Sequence, residues 1–286
     1  CSSDLDGLPC FKPLTAWRSR QKAVTFSRNE ALDPTRPMKL PCGQCAGCRL
    51  EKSRQWAMRC VHEASLHDRN CFVTLTYDES HVPADGLQKD AFPGFVRKLR
   101  KAIKPEKVRY FQSGEYGGQT CRPHYHGILF GFDFPDKSFL RYRGDHPVYV
   151  SDLLLSCWPD GFHEIGSVTF DSACYVARYI VDKVTGPIAE KYYDGLNPES
   201  GSMSRRPGIG AGWFEKFKDE VYPWDEVIMR GKRMKPPRYY DKKADPTVFE
   251  LVRSERNKKR KLSEESEDRL TVRELNAIAR VNLKGV

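Results

Sequence analysis

Arg122-Pro-His-Tyr-His-Gly127 is the stretch from which the rest of the chain can be read. Side chains alternate along a strand, so His124 and His126 share one sheet face and Tyr125 takes the other. Tyr125 to Phe130 therefore reads as a strand carrying two imidazoles side by side. Glu115 lies nine residues earlier, across a Gly-rich segment read as a loop over 113–123. If that loop turns the chain back, a carboxylate and two histidines converge. Such a set leaves coordination positions open, as a catalytic metal requires. Mixed nitrogen and oxygen ligands accept Mg²⁺, Mn²⁺ or Zn²⁺ alike.

Outward from this stretch the pattern alternates between strand and helix without a strict repeat. Apolar residues recur at helical spacing from Arg49 to about His67. Cys71 to Tyr77 is rich in β-branched and aromatic residues and reads as a strand. Asp78 to Gly86 reads as a loop, Phe92 to Ile103 as a basic amphipathic helix, and Val108 to Gln112 as a second strand. Residues 133–161 look irregular, as an insertion would, and Ile165 to Phe170 suggests a short strand. Asp171 or Ser172 is placed to cap a helix running to about Lys183. This order implies an α+β fold with a largely antiparallel sheet. Residues 1–40 show no clear periodicity.

On the last helix, Tyr175, Tyr179 and Lys183 stand at i, i+4 and i+8, hence on one face. A phenol has a pKa near 10 and is a weak nucleophile at neutral pH. A cation on a phosphodiester offsets this by neutralising charge and orienting the phosphate for in-line attack. Lys183 is placed to stabilise developing charge. Without the metal motif upstream, the tyrosine pair would read as a packing stripe.

Bulk properties narrow the partner. The 286 residues carry a net charge of +10, which favours an anionic partner. No run approaches the ~18 apolar residues of a membrane span, and no signal-peptide pattern opens the chain. The first residue is Cys1, so an initiator methionine or a longer N-terminus is missing. Ten cysteines in this length are too few for a disulfide scaffold. Without a secretion signal the expected compartment is a reducing cytoplasm, where close-spaced cysteines are metal ligands. Cys42, Cys45 and Cys48 form such a run, and structural zinc wants four ligands. Cys10 is the first choice for the fourth and Cys60 the second. Lys52 stands where an iron–sulfur run would place its next cysteine, which argues for Zn²⁺. Basic Gly/Pro-rich segments with interleaved aromatics follow, at 204–212 and 231–240. They offer Arg205, Arg206, Lys232, Arg233 and Lys235 as phosphate contacts. The charged tail beyond Arg253 reads as a solvated helix.

Phe72-Val-Thr-Leu-Thr-Tyr77, then Glu115 with His124 and His126, then Tyr175 with Tyr179, resemble in order the three motifs of HUH endonucleases. More closely, the chain is similar to the replication initiators of gokushovirus-type microviruses. That similarity extends to Pro41-Cys-Gly-Gln-Cys-Ala-Gly-Cys-Arg49, Trp56-Ala-Met-Arg59, Met203-Ser-Arg-Arg-Pro-Gly-Ile-Gly210 and Arg230-Gly-Lys-Arg-Met-Lys-Pro-Pro-Arg-Tyr-Tyr240. Cys10-Phe-Lys-Pro13 also resembles the family's N-terminal pattern, which favours Cys10. The resemblance implies an HUH-type nuclease fold, its antiparallel sheet flanked by helices and preceded by a cysteine-rich metal-binding element. It implies rolling-circle initiation in a host bacterial cytoplasm. The substrate is single-stranded or supercoiled origin DNA, cut by a tyrosine that keeps the 5′ phosphate and frees a 3′ hydroxyl for the host replication machinery. The metal-ligand roles fall on Glu115, His124 and His126, and the nucleophile roles on Tyr175 and Tyr179. Many HUH initiators have lysine three residues after the catalytic tyrosine; here Arg178 and Asp182 hold that offset, and Lys183 comes one step later. The implied division is 1–68 cysteine-rich, 69–190 nuclease core and 191–286 basic. Rival readings are an HUH transposase or relaxase, and a non-catalytic zinc-containing DNA-binding protein.

Overall fold

A computed structural model of the chain describes residues 10–117, 121–182, 189–259 and 266–283. The chain divides into two compact units. One runs Ser53–Ser254, and the other joins the residues up to Lys52 to those from Glu255 onward.

In chain order, β1 (Leu14–Arg18), β2 (Val24–Thr25) and β3 (Met38–Leu40) form a small antiparallel sheet in the order β2-β1-β3. This gives structure to a segment whose sequence has no clear periodicity. The strands are too short, and too exposed on both faces, to show alternation. Next come α1 (Ala46–Ala64), β4 (Asn70–Tyr77), α2 (Ala91–Ala102), β5 (Arg109–Tyr116) and β6 (Pro123–Phe130). They are followed by β7 (Ser138–Arg143), β8 (His146–Val150), α3 (Asp152–Cys157), β9 (Gly161–Gly166) and α4 (Phe170–Asp182). The remainder comprises α5 (Ala189–Tyr193), β10 (Gly201–Met203), α6 (Ala211–Val221), the hairpin β11 (Val227–Met229) and β12 (Lys232–Met234), α7 (Arg238–Asp241), α8 (Pro246–Lys259) and α9 (Glu267–Leu283).

The larger unit is built on a seven-stranded sheet in the order β10-β5-β6-β4-β9-β8-β7, each pairing antiparallel. β4 and β6 are central and almost wholly buried, as their apolar and β-branched content requires. Val73, Leu75, Tyr125 and Leu129 point to one face, where they pack with Phe92, Phe95, Val96 and Leu99 of α2 and Leu154 of α3. Phe111, Ile128 and Phe130 point to the other, beneath Ala57 and Met58 of α1 and Ala173, Val176 and Ala177 of α4. The architecture is thus α+β, a large antiparallel sheet with helices on both faces.

Several expectations need correction. Glu115 does not sit in a loop; β5 extends to Tyr116 and pairs with β6 along its whole length. Residues 133–161 are not irregular, since they carry β7, β8 and α3. The strand expected at 165–170 lies earlier, at Gly161–Gly166, and Phe170 already belongs to α4. That helix is capped by Thr169, not by Asp171 or Ser172. Thr169 Oγ1 accepts the Ser172 N–H at 3.0 Å, and Ser172 Oγ accepts the Thr169 N–H at 2.8 Å, a reciprocal pair at the first turn. No helix among the described residues is long and apolar enough to cross a membrane.

Candidate active site

The antiparallel register decides which side chains meet. Glu115 pairs with His124, which pairs with Thr76; Ser113 pairs with His126, which pairs with Thr74. Directly opposed residues share a face, so Glu115, His124, His126, Thr74 and Thr76 all project to the α4 side. There they line a groove of about 600 Å³ together with Tyr175. Glu115 and His126 are buried and His124 is half-buried. His126 Nε2 lies 2.6 Å from Glu115 Oε1, and Tyr175 Oη donates to the same oxygen at 3.2 Å. The Tyr175 ring meets the His126 ring edge-on, with centroids 4.9 Å apart.

Both histidines are oriented from behind. His124 Nδ1 donates to the Arg122 carbonyl at 2.5 Å, which leaves Nε2 with its lone pair toward the groove. His126 Nδ1 sits 3.0 Å from Thr74 Oγ1, a buried hydroxyl that can give or take the proton. Burial lowers the His124 pKa below the ordinary imidazole value, so the ring is neutral at pH 7, the form that ligates a cation. Outer hydrogen bonds of this kind are the usual support of metal-binding imidazoles. The donor set fits a divalent cation with open positions. The three ligands are not drawn tight around one point, however. Glu115 and His126 bond directly to each other, and the two imidazole centroids are 6.3 Å apart.

Tyr175 is on α4, whose packing on β5 brings it to Glu115. Tyr179 follows one turn later on the same helix, but its side chain lies outside the described residues, as does all of Lys183. The groove has a far wall that the sequence did not single out. Arg141 and Arg143 of β7 and Phe162 and Glu164 of β9 line it. Thr74 was likewise missed as a site residue. Its signal was available, since it alternates with Val73 and Leu75 and must face the histidines.

The cysteines form a second cluster, in the smaller unit. The Sγ atoms of Cys10, Cys42, Cys45 and Cys48 all lie within 4.8 Å of one another, and among the described residues this is the cluster already closed enough to hold an ion. Tetrahedral zinc with bonds of ~2.3 Å separates its sulfurs by ~3.8 Å, and Cys45 Sγ lies 3.8 Å from Cys10 Sγ. Backbone N–H groups already point at the sulfurs: Phe11 to Cys45 at 3.3 Å, Cys42 to Cys10 at 3.2 Å, and Cys45 to Cys42 at 3.3 Å. Burial alone would raise the Cys42 thiol, but the N–H groups of Gln44 and Cys45 and the neighbouring thiols bring it down to about 7. Cys60 is not a ligand: it is fully buried in the core of the larger unit.

The basic candidates fall in two places. Arg205 and Arg206 line a groove of about 1220 Å³ with Arg100, Lys104, Lys107 and Arg109. It lies at the opposite end of β5 from Glu115, roughly 20 Å along the strand. Lys232 and Arg233 are exposed on β12, and Lys235 is exposed just beyond it.

Residues 70–184 match the family described as replication-associated protein ORF2. Replication-associated protein VP4 of Bdellovibrio phage phiMH2K is 34% identical over 242 residues, covering 81% of this chain and 75% of the relative. The chain belongs to this family of phage replication-associated proteins. Replication-associated protein ORF2 of Spiroplasma virus 4 is 34% identical over 223 residues, 72% of this chain and 68% of its own length. ORF4 of Chlamydia phage 1, of the same description, is 28% identical over 211 residues, 70% of this chain and 52% of its own. No solved structure matches the chain.

Proposed function

We propose that this protein initiates rolling-circle replication of a phage genome by nicking and rejoining the origin strand through tyrosine. The observation that carries the reading is the Tyr175 hydroxyl, 3.2 Å from the Glu115 carboxylate and beside His126 in an open groove. Glu115, His124 and His126 would hold Mg²⁺ or Mn²⁺, which would neutralise charge on the scissile phosphate. Thr74 and the Arg122 carbonyl keep the two imidazoles turned to the groove. Glu115 orients the Tyr175 phenol. The phenolic oxygen then forms a bond to phosphorus as the bond to the 3′ oxygen breaks, and the proton finishes on that 3′ oxygen. The strand's 5′ phosphate stays on the protein and the 3′ hydroxyl is free for the host polymerase. Tyr179 supplies the second attack when the origin is regenerated, and Lys183 balances charge near the two phenols. We assign the nicking activity to residues 69–190 and phosphate binding to the basic residues after 190. In this reading the cysteine cluster holds a structural Zn²⁺ and the protein acts in the host bacterial cytoplasm.

The test is incubation of the full chain with labelled single-stranded origin DNA and Mn²⁺, with the covalent adduct resolved under denaturing conditions. Adduct is expected from the wild type and not from Tyr175→Phe/Tyr179→Phe, His124→Ala or His126→Ala, while the histidine variants keep most of their DNA binding. Cleavage that persists in EDTA, or binding with no adduct, overturns the reading in favour of a non-catalytic DNA-binding protein.

A further inference from the structure

The sheet register continues past the histidines. Thr76 pairs with Phe162 on β9, and Thr74 pairs with Glu164. One row across the sheet is therefore Glu115, His124, Thr76, Phe162, all on the same face. Phe162 stands two strands from His124, about 10 Å away, and its side chain is left open, with 64% of the residue exposed. A single exposed aromatic is ordinary on a protein surface. An exposed ring in the same row as a carboxylate and histidine, on the wall of their groove, is a specific placement. Beside it, Glu164 is ion-paired with Arg141 and with Arg143, the latter at 2.8 Å. The carboxylate is mostly covered, whereas both arginine side chains remain more than half exposed. One fixed carboxylate thus holds two guanidinium groups at the groove while leaving most of their donors to solvent.

We infer that Phe162 and the Arg141–Glu164–Arg143 fork form a wall that positions unpaired DNA beside the site, with a base stacked on Phe162 and backbone phosphates held by the two arginines. This rests on the nicking reading for its purpose, but not for its chemistry. A duplex base is already stacked on its neighbours and offers no free face, so the partner is a single strand. The stacked base is expected within a nucleotide or two of the scissile phosphate. In the transfer reaction these residues are positioning residues, since none reaches the reacting atoms.

The test uses the full chain in EDTA, so that binding is read without cleavage, with fluorescent single-stranded origin oligonucleotides each carrying one abasic site. Base–aromatic stacking contributes about 1–3 kcal/mol, so Phe162→Ala should weaken binding roughly 5- to 150-fold, and Phe162→Trp should restore it. In the wild type, one abasic position should cost a similar factor, and that penalty should vanish in Phe162→Ala. A merely structural role for the ring would not remove a penalty at one nucleotide. Arg141→Ala/Arg143→Ala should flatten the log-affinity versus log-salt slope by about 1.4, two phosphate contacts on single strands, and leave the abasic profile unchanged. Every β7 residue is exposed, so the double variant is expected to fold. Wild-type affinity in Phe162→Ala, or an abasic penalty that survives it, overturns the stacking wall. An unchanged salt slope overturns the fork. A wild type that shows the abasic signature yet forms no adduct with Mn²⁺ overturns the nicking reading and leaves the wall in place.

Discussion

Gly127→Ala tests why glycine follows the histidine pair. Gly127 lies on the sheet face away from His126, toward α2, and a Cβ built there would be 2.2 Å from Phe92 Cζ and 2.6 Å from Cε2. Carbon atoms in contact sit ~3.5–4.0 Å apart, so the ring would have to retreat by roughly 1.5 Å. It has nowhere to go: Phe92 is fully buried, with Phe95 at 5.3 Å and Tyr110 at 5.7 Å between ring centroids. Overpacking of this kind costs about 1–3 kcal/mol, and the reduced freedom of the unfolded chain returns about 0.4–1 kcal/mol of it. The expected net loss is ~2 kcal/mol. Phe92→Leu alone should cost about 1–2 kcal/mol for the lost ring volume. Because the leucine vacates the space the new methyl needs, the double variant should be more stable than the sum of the singles by at least about 1 kcal/mol. Urea unfolding followed by far-ultraviolet circular dichroism gives all four stabilities. Strict additivity, or a Gly127→Ala protein as stable as wild type, would show that the glycine is not there for the Phe92 ring.

Three further outcomes are expected. Purified reduced protein should carry about one tightly held Zn²⁺; elemental analysis that finds none, or full zinc in Cys10→Ser, refutes the four-cysteine site. Stability should fall on acidification below about pH 6.5. Burial lowers the His62 pKa from 6.5 to about 3, so the unfolded chain takes up the proton first, and the neutral ring's contribution, present above about 6.5, is lost progressively toward about pH 3. The difference corresponds to at most ~5 kcal/mol. Burial lowers His124 and His163 in the same direction, so denaturation midpoints that stay flat from about pH 7 to about 4.5 would contradict the buried neutral rings. Alanine at Arg205, Arg206, Lys232, Arg233 and Lys235 should each reduce the salt dependence of single-strand binding by about 0.7 in log–log slope; an unchanged slope would assign these segments to folding.

What could be read in the sequence was whatever repeats locally. The histidines on one strand face, the helix carrying Tyr175 and the cysteine run each follow from a period or a spacing. Glu115 was legible as a partner but not as a strand residue, because glycines on either side look like a loop. Gly114 belongs in the strand all the same. A Cβ there would meet Leu87 Cδ2 at 2.8 Å, so glycine is what lets the loop after β4 close over β5. The hairpin of β7 and β8 was illegible for the opposite reason. Its first strand is exposed at every position and has no buried face to alternate against. Arg141, Arg143 and Phe162 acquire meaning only from the register that places them beside the histidines, and register between distant strands is not written in either strand alone.

The position of the site also follows from where the sheet changes character along its strands. On the α4 face, β6 runs from His124 and His126 to Ile128 and Phe130, and β5 runs from Phe111 to Ser113 and Glu115. The apolar end is the end that α1 and α4 cover, through Ala57, Met58, Ala173, Val176 and Ala177. The polar end is left as the groove. The same contacts fix the rotation of α4, since Ala173, Val176 and Ala177 cannot leave the core without exposing it. Tyr175, between them in sequence, is thereby held at the boundary where apolar cover gives way to Glu115 and His126. The proposed nucleophile is placed chiefly by the burial of its neighbours. Substitutions at Ala173 or Ala177 that add volume should therefore turn the helix and impair adduct formation with the tyrosines intact.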